Sequence, residues 1–235
     1  MLVEFDSSIF PEFDQSFVDE EKNSPFDCVI YIQNEKNSAH SNILSKYSLF
    51  FKNAFTSGLI EDKKREVFID FNPANCFEKI FTFFYSGKIA FDFSEIMIVF
   101  AISQFYGVDI LTKVIENHLN DNINSNNLIN LIQQCYDYEL NAELHFLIPY
   151  IVNYFPLLNI KKLSENLDIP IFCEVLKRLN NSFEETINLL TDFLGDYKCT
   201  QQDYDEIKKI LDKNDPLVKI AFHSIQPKWA EGEMY

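Results

Sequence analysis

The chain of 235 residues has only five glycines, and none of them builds a phosphate-cradling loop. Gly-x-Gly-x-x-Gly and Gly-Lys-Ser/Thr are both absent, which removes the usual nucleotide-binding signatures. Gly-x-Ser-x-Gly and His-Glu-x-x-His are absent as well, and with them two common hydrolytic motifs. Basic residues are scarce: 20 Lys and Arg face 36 Asp and Glu, a formal charge of −16. A field of that sign repels phosphate backbones, so no nucleic-acid partner is expected; it favours a partner with a basic patch. The five cysteines (Cys28, Cys76, Cys135, Cys173, Cys199) are odd in number and far apart. Without Cys-x-x-Cys or a Cys/His cluster at zinc spacing, neither a metal nor a cofactor is expected. Dispersed thiols suit a reducing compartment, cytoplasmic or nuclear. No run of eighteen apolar residues exists, and the amino terminus lacks a basic start followed by an apolar stretch. A membrane span and a signal peptide are therefore not expected.

What the chain does have is aromatic carbon. There are 24 Phe and 11 Tyr, and hydrophobic residues make up 47%, enough to fill one large core or two small ones. Phe10, Phe13 and Phe17 fall at i, i+3 and i+7 after Pro11, which predicts a short amphipathic helix or a loosely docked tail. Val29, Ile30, Tyr31 and Ile32 lie in a strand predicted over 27–33, with a turn at Asn34-Glu35-Lys36-Asn37. Two short helices are packed into 38–55. Ile43, Leu44 and Tyr47 share one face, Phe51, Ala54 and Phe55 another, with Ser41 and Ser48 as candidate N-caps. Gly58 stops the second helix, and Leu59 to Arg65 reads as an exposed charged loop. A strand follows at 66–71. Pro73, with Asn72 as cap, opens a helix whose buried stripe is Phe77, Ile80, Phe81, Phe84 and Tyr85, ended by Gly87. An edge strand at 88–92 and helices at 94–106 and 109–120 complete this part. After the polar break at 121–127 only helical periodicity recurs, carried by Leu131, Cys135, Leu147, Ile151, Leu176 and Leu190 among others.

Asp27-Cys28-Val29, then Ala39-His40 with Leu44, Ser48 and Phe51, resembles the start of a BTB (POZ) domain. The run from Phe77 to Gly87, ending Tyr85-Ser86-Gly87, resembles that family's aromatic-Tyr-x-Gly helix end. The helical run that follows, clearest over 125–180, resembles the BACK region that often succeeds a BTB domain. The resemblance implies an α/β (α+β) BTB/POZ fold, a small mixed sheet with a helical cluster, followed by an all-α BACK-like region. The implied division is an N-terminal segment at 1–25 that serves as a possible dimerisation helix, a BTB/POZ domain at 26–120, a BACK-like region at 125–225 and a tail at 226–235.

The same resemblance implies a protein-interaction adaptor and not an enzyme: a homodimer that recruits an unidentified client protein to a cullin-type ubiquitin ligase. BTB proteins that bind the third cullin often place an apolar-x-Glu triplet after the second helix, and here Leu59-Ile60-Glu61 stands at that place. Leu59 would enter an apolar groove and Glu61 would set register. The residues alone are also consistent with a solvated loop that merely begins with Leu. The expected dimer contact comprises Phe13, Phe17, Ile43, Tyr47 and Phe51. Asp27 and His40 are expected to form a structural polar pair. In some BTB transcription factors a basic residue follows this histidine; here it is Ser41. Two alternatives stay open. One is a homotypic or transcription-associated scaffold without cullin binding. The other is a hydrolase using Cys135 or His40, although neither has a partner at catalytic spacing in the sequence.

Overall fold

The computed structural model describes residues 2–195 and 200–210. Cys199 and the expected tail at 226–235 lie outside the described residues. The chain divides into two compact units, Met1–Ile123 with Asp137–Glu143, and Asn124–Tyr136 with Leu144 onward.

The first unit is mixed. Its regular elements begin with β1 (Leu2–Phe5), α1 (Gln15–Glu21), β2 (Cys28–Ile32), β3 (Glu35–Ala39), α2 (Ser41–Tyr47), α3 (Leu49–Thr56) and α4 (Ile60–Lys64). They continue through β4 (Glu66–Ile69), α5 (Phe77–Ser86), β5 (Ile89–Asp92), α6 (Ile96–Phe105) and α7 (Asp109–Asn122). One sheet has the order β3-β2-β4, with β2 and β3 antiparallel and β2 and β4 parallel; β1 pairs antiparallel with β5 in a second, two-stranded sheet. Parallel strands need a crossover, and α2, α3 and α4 supply it.

Several expected elements change in detail. The hairpin turn is at Gln33 and Asn34, both with positive φ (52° and 70°), so Glu35 to Asn37 already belong to β3. Phe10, Phe13 and Phe17 do not share a helix: α1 starts only after Asp14, whose carboxylate accepts from the Phe17 N–H. Phe10 instead enters the core from irregular backbone and meets Phe83 edge-on at 4.9 Å. Pro73 opens a 3-10 turn that breaks at Ala74, and α5 begins at Phe77. Asn72 still caps it, accepting from the Phe77 N–H at 2.8 Å. In α5, Phe83 takes the buried place expected of Phe81.

The core of this unit is an aromatic cluster. Phe51, Phe77, Phe84 and Tyr106 are all essentially inaccessible, and the Phe77 and Tyr106 rings meet at 4.8 Å. Tyr106 keeps its polar end satisfied: its hydroxyl donates to the Phe71 carbonyl at 3.0 Å and accepts from the Phe71 N–H at 3.2 Å. Burying each such ring stabilises by about 1.5–3 kcal/mol. In α6, Ile96 through Ser103 are all buried, as expected of a central helix that is apolar on every side.

The second unit is helical throughout its described residues. It is built on α8 (Leu128–Asp137), α9 (Asn141–Tyr154), α10 (Ile160–Ser164), α11 (Ile169–Arg178), α12 (Phe183–Leu194) and α13 (Gln201–Ile210). Ser182 and Glu185 cap α12 reciprocally. Thr200 and the shorter acid Asp203 open α13 in the same way. Phe172 and Phe193 stack at 3.7 Å with nearly parallel planes, joining α11 to α12.

Candidate protein-interaction site

The expected charged loop after α3 is an ordered tip. Gly58 turns the chain at φ +72°, a value that favours glycine, and its N–H donates to the Asp62 carboxylate at 3.0 Å. The Lys63 N–H then donates to the Leu59 carbonyl, so α4 begins within one residue of the turn. Arg65, left-handed at φ 56°, closes α4. Its guanidinium donates to the Phe55 carbonyl at 3.4 Å, lies 5.5 Å from the Phe55 ring and faces Asp62 and Asp27 at 3.9 and 3.6 Å. The tip is thereby tied to α3 behind it. Leu59 and Ile60 project outward, 64% and 59% exposed, and Glu61 is partly exposed. Two neighbouring large apolar side chains at a tethered tip carry an unmet desolvation cost that a partner groove would relieve.

The expected dimer residues fall differently. Ile43 and Phe51 have no accessible surface and Tyr47 keeps 6%, so these three belong to the core of the single chain. The expectation that they face a second copy is corrected. A helix whose apolar face meets its own α5 and α6 shows the periodicity of one that meets a partner. Phe13 is half-buried, stacked on Tyr47 at 4.7 Å. Phe17, also half-buried, lies under the Lys46 ammonium at 3.8 Å. The exposed side of α1 carries Gln15, Ser16, Asp19 and Glu20. The large apolar residue left open beside this layer is Leu49, 58% exposed at the start of α3.

Asp27 and His40 are neighbours through the backbone, since the Asp27 N–H donates to the Ala39 carbonyl. Their side chains nevertheless have separate partners, which corrects the expected pair. Asp27 accepts from the Ser41 N–H at 2.7 Å and the Ser41 hydroxyl at 2.6 Å, so it caps α2 from outside the helix. Ser41, the expected cap, is instead the first helical residue. Burial pushes the Asp27 carboxyl up, but the Ser41 hydrogen bonds and the Arg65 charge outweigh it and leave the pKa lowered. His40 is buried; one ring nitrogen meets the Ser24 carbonyl at 3.0 Å and the other the Tyr85 hydroxyl at 3.3 Å. That arrangement fixes the ring between the turn after α1 and the last turn of α5, with both nitrogens engaged.

The thiols are placed for packing. Burial raises Cys28 to about 12 and Cys76 to about 11, which suppresses thiolate, and Cys135 is 1% exposed. No grouping of three metal-ligating side chains occurs among the described residues. None of their helices is long and apolar enough to cross a membrane.

Two aromatics of the first unit stand on its surface. Phe105, at the end of α6, is 57% exposed and packs its ring on Phe71 at 4.7 Å. Phe68, on the outer side of β4, is 58% exposed and stacks on Tyr31 at 4.5 Å. Strict alternation in β4, with Val67 and Ile69 inward, turns Phe68 outward.

The sheet order β3-β2-β4 with the α2–α4 crossover, and the α5 end at Gly87, agree with the family profile that matches residues 18–123, that of the BTB/POZ domain. The chain carries a BTB/POZ domain. Relatives that share its sequence include Kelch-like protein 7 of Homo sapiens, 24% identical over 151 residues. The similar stretch is 60% of this chain and 26% of the human protein. Kelch-like protein 7 of Gallus gallus is 23% identical over 151 residues, and that of Mus musculus 24% over 147. The match thus spans about a quarter of each relative's length. In the frame of the BTB/POZ domain, the Leu59–Glu61 tip is the segment that joins α3 to β4.

Proposed function

We propose that this BTB/POZ chain is a protein-interaction adaptor that docks a cullin-type ubiquitin-ligase scaffold through the Leu59–Glu61 tip and presents a client protein to it. The observation that carries this reading is the exposure of Leu59, nearly two-thirds, on a tip held by Gly58, Asp62 and Arg65. Because the tip is pre-ordered, a partner groove gains the burial of Leu59 with little ordering cost. One such anchor is worth about 2 kcal/mol, and Glu61 beside it fixes register by charge. The helical second unit is read as the BACK-like region that follows.

The test is binding of the purified chain to the amino-terminal region of the third cullin, measured by calorimetry. Leu59→Asp with Glu61→Lys is expected to weaken it by about thirtyfold, the equivalent of about 2 kcal/mol, with unchanged thermal stability. A wild-type chain that does not bind, or a variant that binds equally, overturns the reading.

A second reading, self-association without a cullin, draws on Leu49. Phe13 and Phe17 keep part of their surface and Leu49 is open, whereas Ile43 and Phe51 are accounted for inside the chain. Self-association lost in Leu49→Asp and kept in the tip variant would separate the two surfaces.

A further inference from the structure

An adaptor needs a surface for its client, and the second unit contains a cleft of about 290 Å³ suited to that purpose. Its base is apolar: Ile169 at the start of α11 and Phe193 near the end of α12 are each 5% exposed, and Phe193 is fixed from behind by its stack on Phe172. Its rim is acidic. Glu165, at the end of α10, and Asp168, before α11, are exposed, and neither carboxylate joins a salt bridge among the described residues. Asp168 occupies the N-cap position of α11, yet its side chain does not cap. Asp203 adds a third carboxylate, which accepts from the Thr200 N–H and hydroxyl. Tyr136, 55% exposed, stands at the edge. Among the described residues, no Lys, Arg or His lines the cleft.

Like charges gathered over a low-dielectric base raise the local potential and call for a cation. The three acids form no metal-ligating group among the described residues, which favours a side-chain cation. The volume is at the lower end for ligand clefts, room for a side chain or two.

We propose that this cleft binds a client-protein segment in which an Arg or Lys stands next to an apolar residue: the guanidinium or ammonium between Glu165 and Asp168, the apolar side chain on Phe193 and Ile169. Tyr136 offers its ring face to the same cation. The net charge of −16 steers such a segment inward. This assignment rests on the adaptor reading.

The experiment uses the full chain and a fluorescent peptide of alternating Arg and Leu, with Arg/Ser and Glu/Leu peptides as controls. The Arg/Leu peptide is expected to bind and to protect amides around 164–169 and 193–194 from hydrogen exchange. Glu165→Lys with Asp168→Lys is expected to weaken it by about tenfold or more, and Tyr136→Ala by several-fold. All three positions are exposed and uncapping, so the fold is expected to tolerate these changes. Equal binding of the Arg/Ser peptide, which would mark attraction to overall charge alone, overturns the proposal. So does undiminished binding by the double variant. Cullin binding is measured on the same samples. The cleft variants are expected to keep it and Leu59→Asp to lose it while keeping the peptide, so failure of the cleft and failure of the adaptor reading give different results.

Discussion

At the scale of single residues, Asp27 holds more together than its position at a strand entrance suggests. It caps α2 across fourteen residues of sequence and faces Arg65, which in turn closes the α4 tip. Asp27→Ala leaves the Ser41 N–H without its acceptor and removes one of the two carboxylates facing Arg65. The expected cost is about 1 kcal/mol, as for loss of an N-cap. The ion pair adds little because both side chains are roughly two-fifths exposed and solvent screens them. The pH dependence has a definite sign. The folded pKa lies below the unfolded one, so the carboxylate's contribution is full above the unfolded value, about 4, and is lost as pH falls through the folded value. Urea midpoints of wild type and Asp27→Ala are therefore expected to differ by a constant amount above about pH 5 and to converge below about pH 4. A gap that widened on acidification would contradict the capping role. His40 teaches the complementary lesson: a histidine that invites a catalytic reading is bonded to a backbone carbonyl and a tyrosine hydroxyl, and its geometry is that of a brace.

At the scale of elements, the β2–β3 hairpin shows where sequence pattern runs out. Its two turn residues, Gln33 and Asn34, both adopt positive φ, the geometry of a type I′ turn. Asn-Gly is the pair that satisfies this at least strain, and its absence is why the turn reads two residues too late. Replacing Gln33 by Asn and Asn34 by Gly is expected to stabilise the chain by about 0.5–1 kcal/mol, seen as a higher unfolding midpoint with unchanged far-ultraviolet dichroism. A neutral or negative effect would mean the turn is not strained. Elsewhere the pattern was informative: α5, α6 and α7 follow from 3.6-residue periodicity, Gly87 and the break near residue 123. The short α4 was not legible, because five charged and apolar residues without a stripe form a helix only through Gly58, Asp62 and Arg65. Phe10, Phe13 and Phe17 mimic helical spacing while reaching the interior from a turn and a helix start. Leu59 was singled out only through family resemblance; its place on an ordered tip needed the structure. Ile43 and Phe51 show the limit most plainly, since periodicity marks an apolar face but not whether that face meets its own chain or another.

At the scale of the whole molecule, charge decides how the two proposed kinds of association respond to salt. Each copy carries −16, and the open side of α1 adds Asp19 and Glu20 next to the apolar residues left for a second copy. Two copies approaching through that region repel one another, and the repulsion is screened once the Debye length falls from about 30 Å at 0.01 M salt to about 8 Å at 0.15 M. Self-association by way of Leu49 is therefore expected to tighten as salt rises. An Arg/Leu segment meeting the Glu165–Asp168 rim gains from the same field, so its affinity is expected to weaken over the same range. Sedimentation velocity for the first and fluorescence anisotropy for the second, both taken from 0.01 to 0.3 M potassium chloride, measure the two slopes on one preparation. Opposite slopes follow if apolar contact drives self-association against like charge while opposite charge draws the client in. Self-association that weakens with salt would require complementary charges between copies, and the acidic exposed side of α1 does not provide them.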